Sequence, residues 1–203
     1  MITKFYPPSL YNFLWYIRSN PLGNSILDCG AGGYDPKLAF FLENGFEVYG
    51  IEISEDQIKG AIEYSEKNNV KLNIIEGDMR KISFDSDFFD YLYSYNSIFH
   101  LSKKDSGIAV NEMHRVLKKK GLCYLNFLSV DDKLSKEGDE INPGEMITKE
   151  GDKEYLHSYY DDDEPDIYFK NFEIIYKEKT QIKIGRYFNT GRSCILEYIA
   201  RKK

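Results

Sequence analysis

Cysteine is scarce and badly spaced for any framework. The three present, Cys29, Cys123 and Cys194, are far apart and odd in number. Each sits in or beside an apolar run, which predicts buried, reduced thiols. No CxxC or Cys/His spacing offers a zinc site, so no metal is expected. Long apolar runs are missing too, since none approaches the roughly 18 residues of a membrane span. The opening Met1-Ile2-Thr3-Lys4-Phe5-Tyr6-Pro7-Pro8 lacks the apolar stretch of a signal peptide. These absences predict a cytoplasmic protein with no membrane partner. Positive charge is in deficit: 27 Lys and Arg against 33 Asp and Glu leave a net charge of −6. An acidic surface repels phosphate backbones, which disfavours nucleic acid as a partner and favours a small molecule or a protein. Repeats and linkers are absent, so the 203 residues read as a single domain. Oligomeric state leaves no readable mark in one chain.

What is present is an alternation of element types. Residues 1–20 are aromatic and apolar, and Leu10, Phe13, Leu14 and Ile17 have helical spacing. A break at 20–24 follows. Ser25–Cys29 reads as a buried strand running into a glycine-rich turn. Residues 35–44 read as a helix opened by Asp35-Pro36, and 46–51 as a strand. Ser54 with Gln57 resembles a capping box, which predicts a helix to about Asn68. Residues 71–76 and 88–95 read as strands three and four, 102–118 as a helix, and 122–128 as strand five. Lys118-Lys119-Lys120-Gly121 supplies cations and a glycine suited to the end of that helix. This alternation predicts an α/β fold: a doubly wound, Rossmann-like, mostly parallel sheet with helices on both faces. After Leu128 the pattern changes. Residues 130–166 are polar, while 172–180 and 193–200 read as an antiparallel pair closing the sheet edge. Residues 182–190 fit no element.

The most informative stretch is Ile26-Leu27-Asp28-Cys29-Gly30-Ala31-Gly32-Gly33-Tyr34-Asp35-Pro36. A strand delivers the chain to a turn where Gly30 and Gly32 let backbone approach a ligand closely, ahead of a helix N-terminus. Such a turn alone also fits a mere tight strand–helix connection. Three further features sit where open α/β sheets bind ligands, at the carboxyl ends of strands. Glu52 ends strand two, about 20 residues beyond the glycines, placed to accept hydrogen bonds from ribose hydroxyls. Gly77-Asp78-Met79 ends strand three, within reach of an adenine amino group. Tyr95-Asn96-Ser97 ends strand four.

Together these residues resemble a class I methyltransferase dependent on S-adenosylmethionine (SAM), of the small-molecule type, over residues 25–128. Asp28-Cys29-Gly30-Ala31-Gly32 matches the family's D-x-G-x-G motif, Glu52 its ribose-binding acid, and Asp78 with Met79 its adenine-binding pair. Leu117-Lys118-Lys119-Lys120-Gly121-Leu122 resembles the L-K-P-G-G turn before strand five. Tyr34 replaces a frequent third glycine, and Lys120 an early glycine or proline of the later turn. The resemblance implies SAM as cofactor, held by Asp28, Gly30, Ala31, Gly32, Tyr34, Glu52, Ile53, Asp78, Met79 and Tyr95. It divides the domain into an N-terminal lid or packing helix (1–24), a cofactor-binding core (25–128), an acceptor-side insertion (129–171) and closing strands (172–203). A nicotinamide-binding fingerprint would need glycine or alanine at position 35, where Asp35 would oppose a pyrophosphate.

Methyl transfer is a direct displacement in which the cofactor brings the reactive group and the protein chiefly aligns the acceptor. A general base is needed only for a protonated acceptor. The catalytic candidates are His100, His157 and Tyr95, with Asn96, Tyr159 and Tyr160 as further acceptor contacts. His100 equally suits helix capping or packing, and the run Asp161-Asp162-Asp163-Glu164 suits a solvated loop. The expected function is methylation of a small-molecule acceptor. The alternatives are a macromolecular methyltransferase, disfavoured by the absence of N-P-P-Y after strand four, and a non-catalytic SAM-binding protein.

Overall fold

A computed structural model describes residues 5–181 and 193–203, so the unassigned segment 182–190 lies outside the described residues. Five strands, β1 (Ser25–Cys29), β2 (Glu47–Glu52), β3 (Ile74–Glu76), β4 (Phe89–Ser94) and β5 (Leu117–Ser129), run parallel in the order β3-β2-β1-β4-β5. β1 and β4 are buried along their whole length, which is why both read as continuous apolar runs without alternation.

Helices cover both faces. α1 (Pro8–Ser19) and α2 (Leu38–Glu43) place Leu10, Phe13, Phe40 and Phe41 against Tyr91, Tyr93 and Tyr124 of the sheet. On the opposite face α4 (Lys103–Val116) sets Ala109, Val110, Met113 and Val116 against Leu27, Leu92 and Phe127. α3 (Glu55–Asn68) starts at Ser54, whose Oγ accepts from the Gln57 amide at 3.4 Å. Ser102 caps α4 likewise, accepting from the Asp105 amide at 3.0 Å. Each cap satisfies an amide that the helix itself cannot. In α1 the buried residues are the four spaced for one face, Leu10, Phe13, Leu14 and Ile17. This helix is therefore part of the core.

Four expectations need correction. The helix expected over 35–44 begins only at Leu38. Proline disfavours helical backbone in the residue before it, so Asp35 stays outside, and the first turn bonds back to the carbonyls of Pro36 and Lys37. β3 spans three residues instead of six. Asn73 takes a left-handed φ of 47°, and its side chain donates to the Val48 carbonyl instead of extending the strand. The lysine run is no separate turn: α4 ends at Val116 and β5 begins at Leu117. The register then passes from Phe89–Leu117 to Tyr91–Leu122, so residues 118–121 bulge from the ladder, with Lys120 at φ 67°.

The fourth correction concerns the polar stretch. Residues 130–166 contain β6 (Asp139–Asn142), β7 (Glu145–Glu150) and β8 (Lys153–Tyr160), an antiparallel meander. β6 is exposed on both faces, so no burial pattern marks it as a strand. β10 (Cys194–Lys202) pairs antiparallel with β5, and β9 (Phe172–Gln181) with β10, which is the expected closing pair. Leu128 pairs with both Ile195 of β10 and Tyr159 of β8. β8 must therefore lie on the edge of β5 that β4 vacates, and it carries the meander over the carboxyl end of β4.

The acidic run 161–164 is pinned by lysines: Asp162 pairs with Lys179, Asp163 with Lys177 and Glu164 with Lys103. All three cysteines are buried and unpaired. Among the described residues no helix is long and apolar enough to cross a membrane. Leu10 is fully buried, so Leu10→Ala is expected to cost about 2–5 kcal/mol of unfolding free energy. A loss below about 1 kcal/mol in denaturant titration would show α1 to be a loosely held lid.

Candidate functional site

A cleft of about 710 Å³ runs along the carboxyl ends of β1, β2, β3 and β4. Its floor is the turn after β1. The amides of Gly30 and Ala31 both donate to the Ile51 carbonyl, at 2.9 and 3.0 Å, folding the turn onto the end of β2. Gly30 has φ 106°, and a Cβ there would lie 2.2 Å from Ser97 Oγ. At Gly32 a Cβ would lie 2.4 Å from Gln57 Cβ and 2.8 Å from Glu52 Oε2. No other residue type fits either position.

Of the carboxyl groups lining this cleft, the three at the ends of β1, β2 and β3 have different surroundings. Glu52 is half-buried; its Oε2 accepts the Gly32 amide at 3.2 Å and its Oε1 the Ser54 amide at 2.9 Å. A carboxylate offers about four lone-pair sites, so acceptor capacity remains. Asp78 is more fully engaged. Arg80 donates to it from Nε and Nη2 and from its own backbone amide, at 2.7 to 3.1 Å. The hydrogen-bonded guanidinium holds the Asp78 carboxyl below the usual carboxylate range, and Arg80 also reaches Asp105 at 3.1 Å.

Asp28 is buried. Its Oδ1 and the hydroxyl of Tyr93 have no hydrogen-bond partner among the described residues. Loss of hydration pushes the Asp28 carboxyl from 3.8 up to about 7; the Tyr93 hydroxyl, near enough to pull on it weakly but outside hydrogen-bond geometry, and the Lys37 charge oppose, while the Glu52 charge adds. This is the most perturbed acid along the cleft, and the one with a buried oxygen left unsatisfied.

The far wall follows β4. Asn96 has φ 55°; its amide donates to Asn126 Oδ1 at 2.8 Å, and Asn126 Nδ2 donates to Asn96 Oδ1 at 2.7 Å. This side-chain pair ties the segment after β4 to β5. Tyr95 and Asn96 line the cleft beside it, and burial raises the Tyr95 hydroxyl.

Of the residues read from the sequence, Asp28, Gly30, Gly32, Glu52, Ile53, Asp78, Met79, Tyr95, Asn96 and His100 line this one cleft. Ala31 is buried beneath the turn, where its Cβ would contact one added at Gly50. Tyr34 does not line the cleft: the residue is 69% exposed, with its Cδ2 toward Gly60 of α3. His157 is buried behind the wall, its Nδ1 3.2 Å from Thr148 Oγ1. Tyr160 is buried with its hydroxyl 3.0 Å from Ser106 Oγ, and Tyr159 donates to the Leu134 carbonyl. The insertion instead offers Tyr155 and Leu156, the neighbours of His157 on β8. Ser97, read from the sequence at the end of strand four, lines the cleft as well, while sequence reading missed Gln57 and Leu101 as lining residues and Asn126 as a tether. Gln57 was visible only as half of a capping box.

The β1 turn does not rest on a long helix, because α2 has six residues and no side-chain cap. Binding groups in the cleft are thus backbone amides, carboxylates and the β4 segment.

Comparison with known proteins agrees with this geometry. A profile for a methyltransferase domain matches residues 27–125. A sterol 24-C-methyltransferase of Pneumocystis carinii is 30% identical over 167 residues, which span 79% of this chain and 43% of that protein. A demethylmenaquinone methyltransferase of Staphylococcus carnosus is 31% identical over 103 residues, spanning 50% of this chain and 42% of that protein. The chain spans less than half the length of these curated relatives. The solved structure of a SAM-dependent methyltransferase from Methanosarcina mazei superposes with a TM-score of 0.78 at 19% identity, covering 98% of this chain and 99% of that one. At that identity the likeness shows the fold.

Because Asp28 is an acid whose affinity for protons rises on folding, the folded state holds more protons than the unfolded state between pH 3.8 and about 7. Stability from this residue is thus complete at low pH and lost as pH rises through that window. Asp28→Asn should gain on the wild type from about pH 4 to about pH 7 and hold its advantage above. A stability difference independent of pH in denaturant unfolding would contradict the burial argument.

Proposed function

We propose that this chain, whose residues 27–125 match a methyltransferase-domain profile, is a class I SAM-dependent methyltransferase that binds SAM in the cleft and transfers the methyl group to a small-molecule acceptor. The observation that carries the reading is the fit of the cleft to a cationic nucleoside. Gly30 and Gly32 clear the floor for close backbone approach. The unsatisfied Asp28 Oδ1 suits a ligand bearing positive charge. A volume of about 710 Å³ lies within the range of small-molecule sites.

In this reading Glu52 holds the ribose hydroxyls with its remaining lone pairs. Asp78 and Met79 border the adenine. Arg80 already engages both Asp78 oxygens, so Asp78 contributes less binding than Glu52. SAM, when bound, supplies an activated methyl group. The chain's own task is to align the acceptor with it, and orientation of this kind is worth about 7–11 kcal/mol. The segment after β4 and residues 155–156 of the insertion form the acceptor side, and α1 packs from behind as part of one domain. The names of the sterol and demethylmenaquinone enzymes denote small-molecule acceptors, which supports the same class here. The carboxylates around the cleft oppose a nucleic-acid acceptor. Three buried, unpaired thiols fit a reducing, cytoplasmic setting.

Calorimetric titration with SAM, S-adenosylhomocysteine and NAD tests the proposal. Binding of the first two without NAD is expected, and silence from SAM in folded protein would sink it. Glu52→Ala should weaken SAM by about 1.5–3 kcal/mol, and Asp78→Asn by less. Near pH 7, binding measured in buffers of different ionisation heat should show proton release, because a bound cation favours the Asp28 carboxylate.

A further inference from the structure

Three buried tyrosines share the sheet face that α1 and α2 cover: Tyr91 and Tyr93 on β4, and Tyr124 on β5 in register with Tyr93. Burying a hydroxyl costs free energy unless it finds a partner. Tyr91 has one, since its oxygen accepts the Leu22 amide at 2.7 Å. Tyr124 has one, since it donates to Glu197 at 2.7 Å. Tyr93 has none in hydrogen-bond geometry. Its ring packs 4.9 Å from that of Phe41 on α2, and phenylalanine would pack there without a buried hydroxyl to satisfy.

The residue beside Tyr93 accounts for the hydroxyl. Tyr93 is in register with Asp28 on β1, so the two side chains stand on one face of adjacent strands. The Tyr93 hydroxyl and Asp28 Oδ1 are the two buried side-chain polar atoms without a partner among the described residues. A hydroxyl donates and a carboxylate accepts, so a small shift joins them. The other groups facing the pair are engaged or unsuited. Glu52, at the end of β2, carries the same charge as Asp28 and takes two amides. Lys37, ahead of α2, is paired with Asp35. Cys29, next on β1, is a buried thiol. Tyr6, ahead of α1, donates to Glu43.

Donation favours the ionised carboxylate over the protonated acid, and Tyr93 opposes the upward push that burial gives Asp28. We infer that Tyr93 is a positioning residue for the cofactor, its hydroxyl donating to Asp28 Oδ1 so that the carboxyl meets the cation of SAM in its ionised form. This rests on the reading of the cleft as a SAM site. Asp28 lines the cleft and Tyr93 does not, so Tyr93 acts on the cofactor through Asp28.

Tyr93→Phe keeps the ring and removes a hydroxyl that no other protein group needs, which leaves the core intact. In the free protein the carboxyl carbon of Asp28, assigned with Asp28→Asn, should titrate at about 7 by carbon-13 spectroscopy, and at a higher pH in Tyr93→Phe. An unmoved midpoint would overturn the inference. SAM affinity is then compared by calorimetry from about pH 5.5 to about pH 8.5, where the ratio of variant to wild type cancels the titration of SAM itself. The variant should bind about tenfold more weakly at the low end and within about twofold at the high end. In an Asp28→Asn background this pH-dependent loss should vanish. A ratio constant with pH, or the same pH-dependent loss without the Asp28 carboxyl, would overturn the inference. Wild-type protein that binds no SAM, with the midpoint still moved by Tyr93→Phe, would instead overturn the proposed function and leave the donation to Asp28 standing.

Discussion

The close approach of the segment after β4 to the turn after β1 is the constraint on which the site depends. Gly30 sits against Ser97, with no space for even a methyl group between them. The contact joins two strands that pair side by side but are 65 residues apart, as the buried bond from Ser94 Oγ to the Cys29 carbonyl shows. Further toward the amino ends of the same two strands, Ser25 Oγ donates to Asp90 Oδ2 at 2.7 Å. With β1 and β4 locked along their length, the Ile51 carbonyl can receive two amides of the turn. The Asn96–Asn126 pair then sets the direction of the chain leaving β4. A substituent at Gly30 would disturb all of these together.

The insertion is held by unequal contacts. Its visible ion pairs, such as Lys179 with Asp162 and Lys177 with Asp163, involve exposed groups, and such pairs are each worth about 0–1 kcal/mol. Burial does more. Tyr160 is fully buried, stacks edge-on to Phe127 at 5.1 Å and donates to Ser106. Tyr198 lies nearly parallel to Phe169, 4.8 Å away. The Tyr160 contacts fix β8 on the main sheet, and β8 in turn places Leu156 beside His100.

The three carboxyl groups at the ends of β1, β2 and β3 are set apart by their neighbours. Asp78 is neutralised by Arg80, Glu52 is steadied by two amides, and Asp28 is left buried with an unsatisfied oxygen. The same residue type thus serves as a structural anchor at one strand end and as a group awaiting a partner at another. Burial and hydrogen bonding decide which.

Local chemistry decided most of the fold before any tertiary contact was known. Ser54 announced its helix because capping is a bond between near neighbours. Ser25–Cys29 announced a buried strand because both its faces are covered. The order of Gly30, Gly32, Glu52 and Asp78 pointed to one crevice, since parallel strands all present their carboxyl ends on one side. The tertiary structure alone decided what depends on distant partners. β6 escaped notice because a solvated strand carries no burial pattern, and β8 because only its second half is buried, against distant partners. Tyr34 was carried into the site by its position beside the glycines and out of it by the direction of its ring. Tyr155 and Leu156 were overlooked in favour of His157, because the edge of β5 vacated by β4 determines which part of β8 faces the cleft. No local pattern in the chain encodes that pairing.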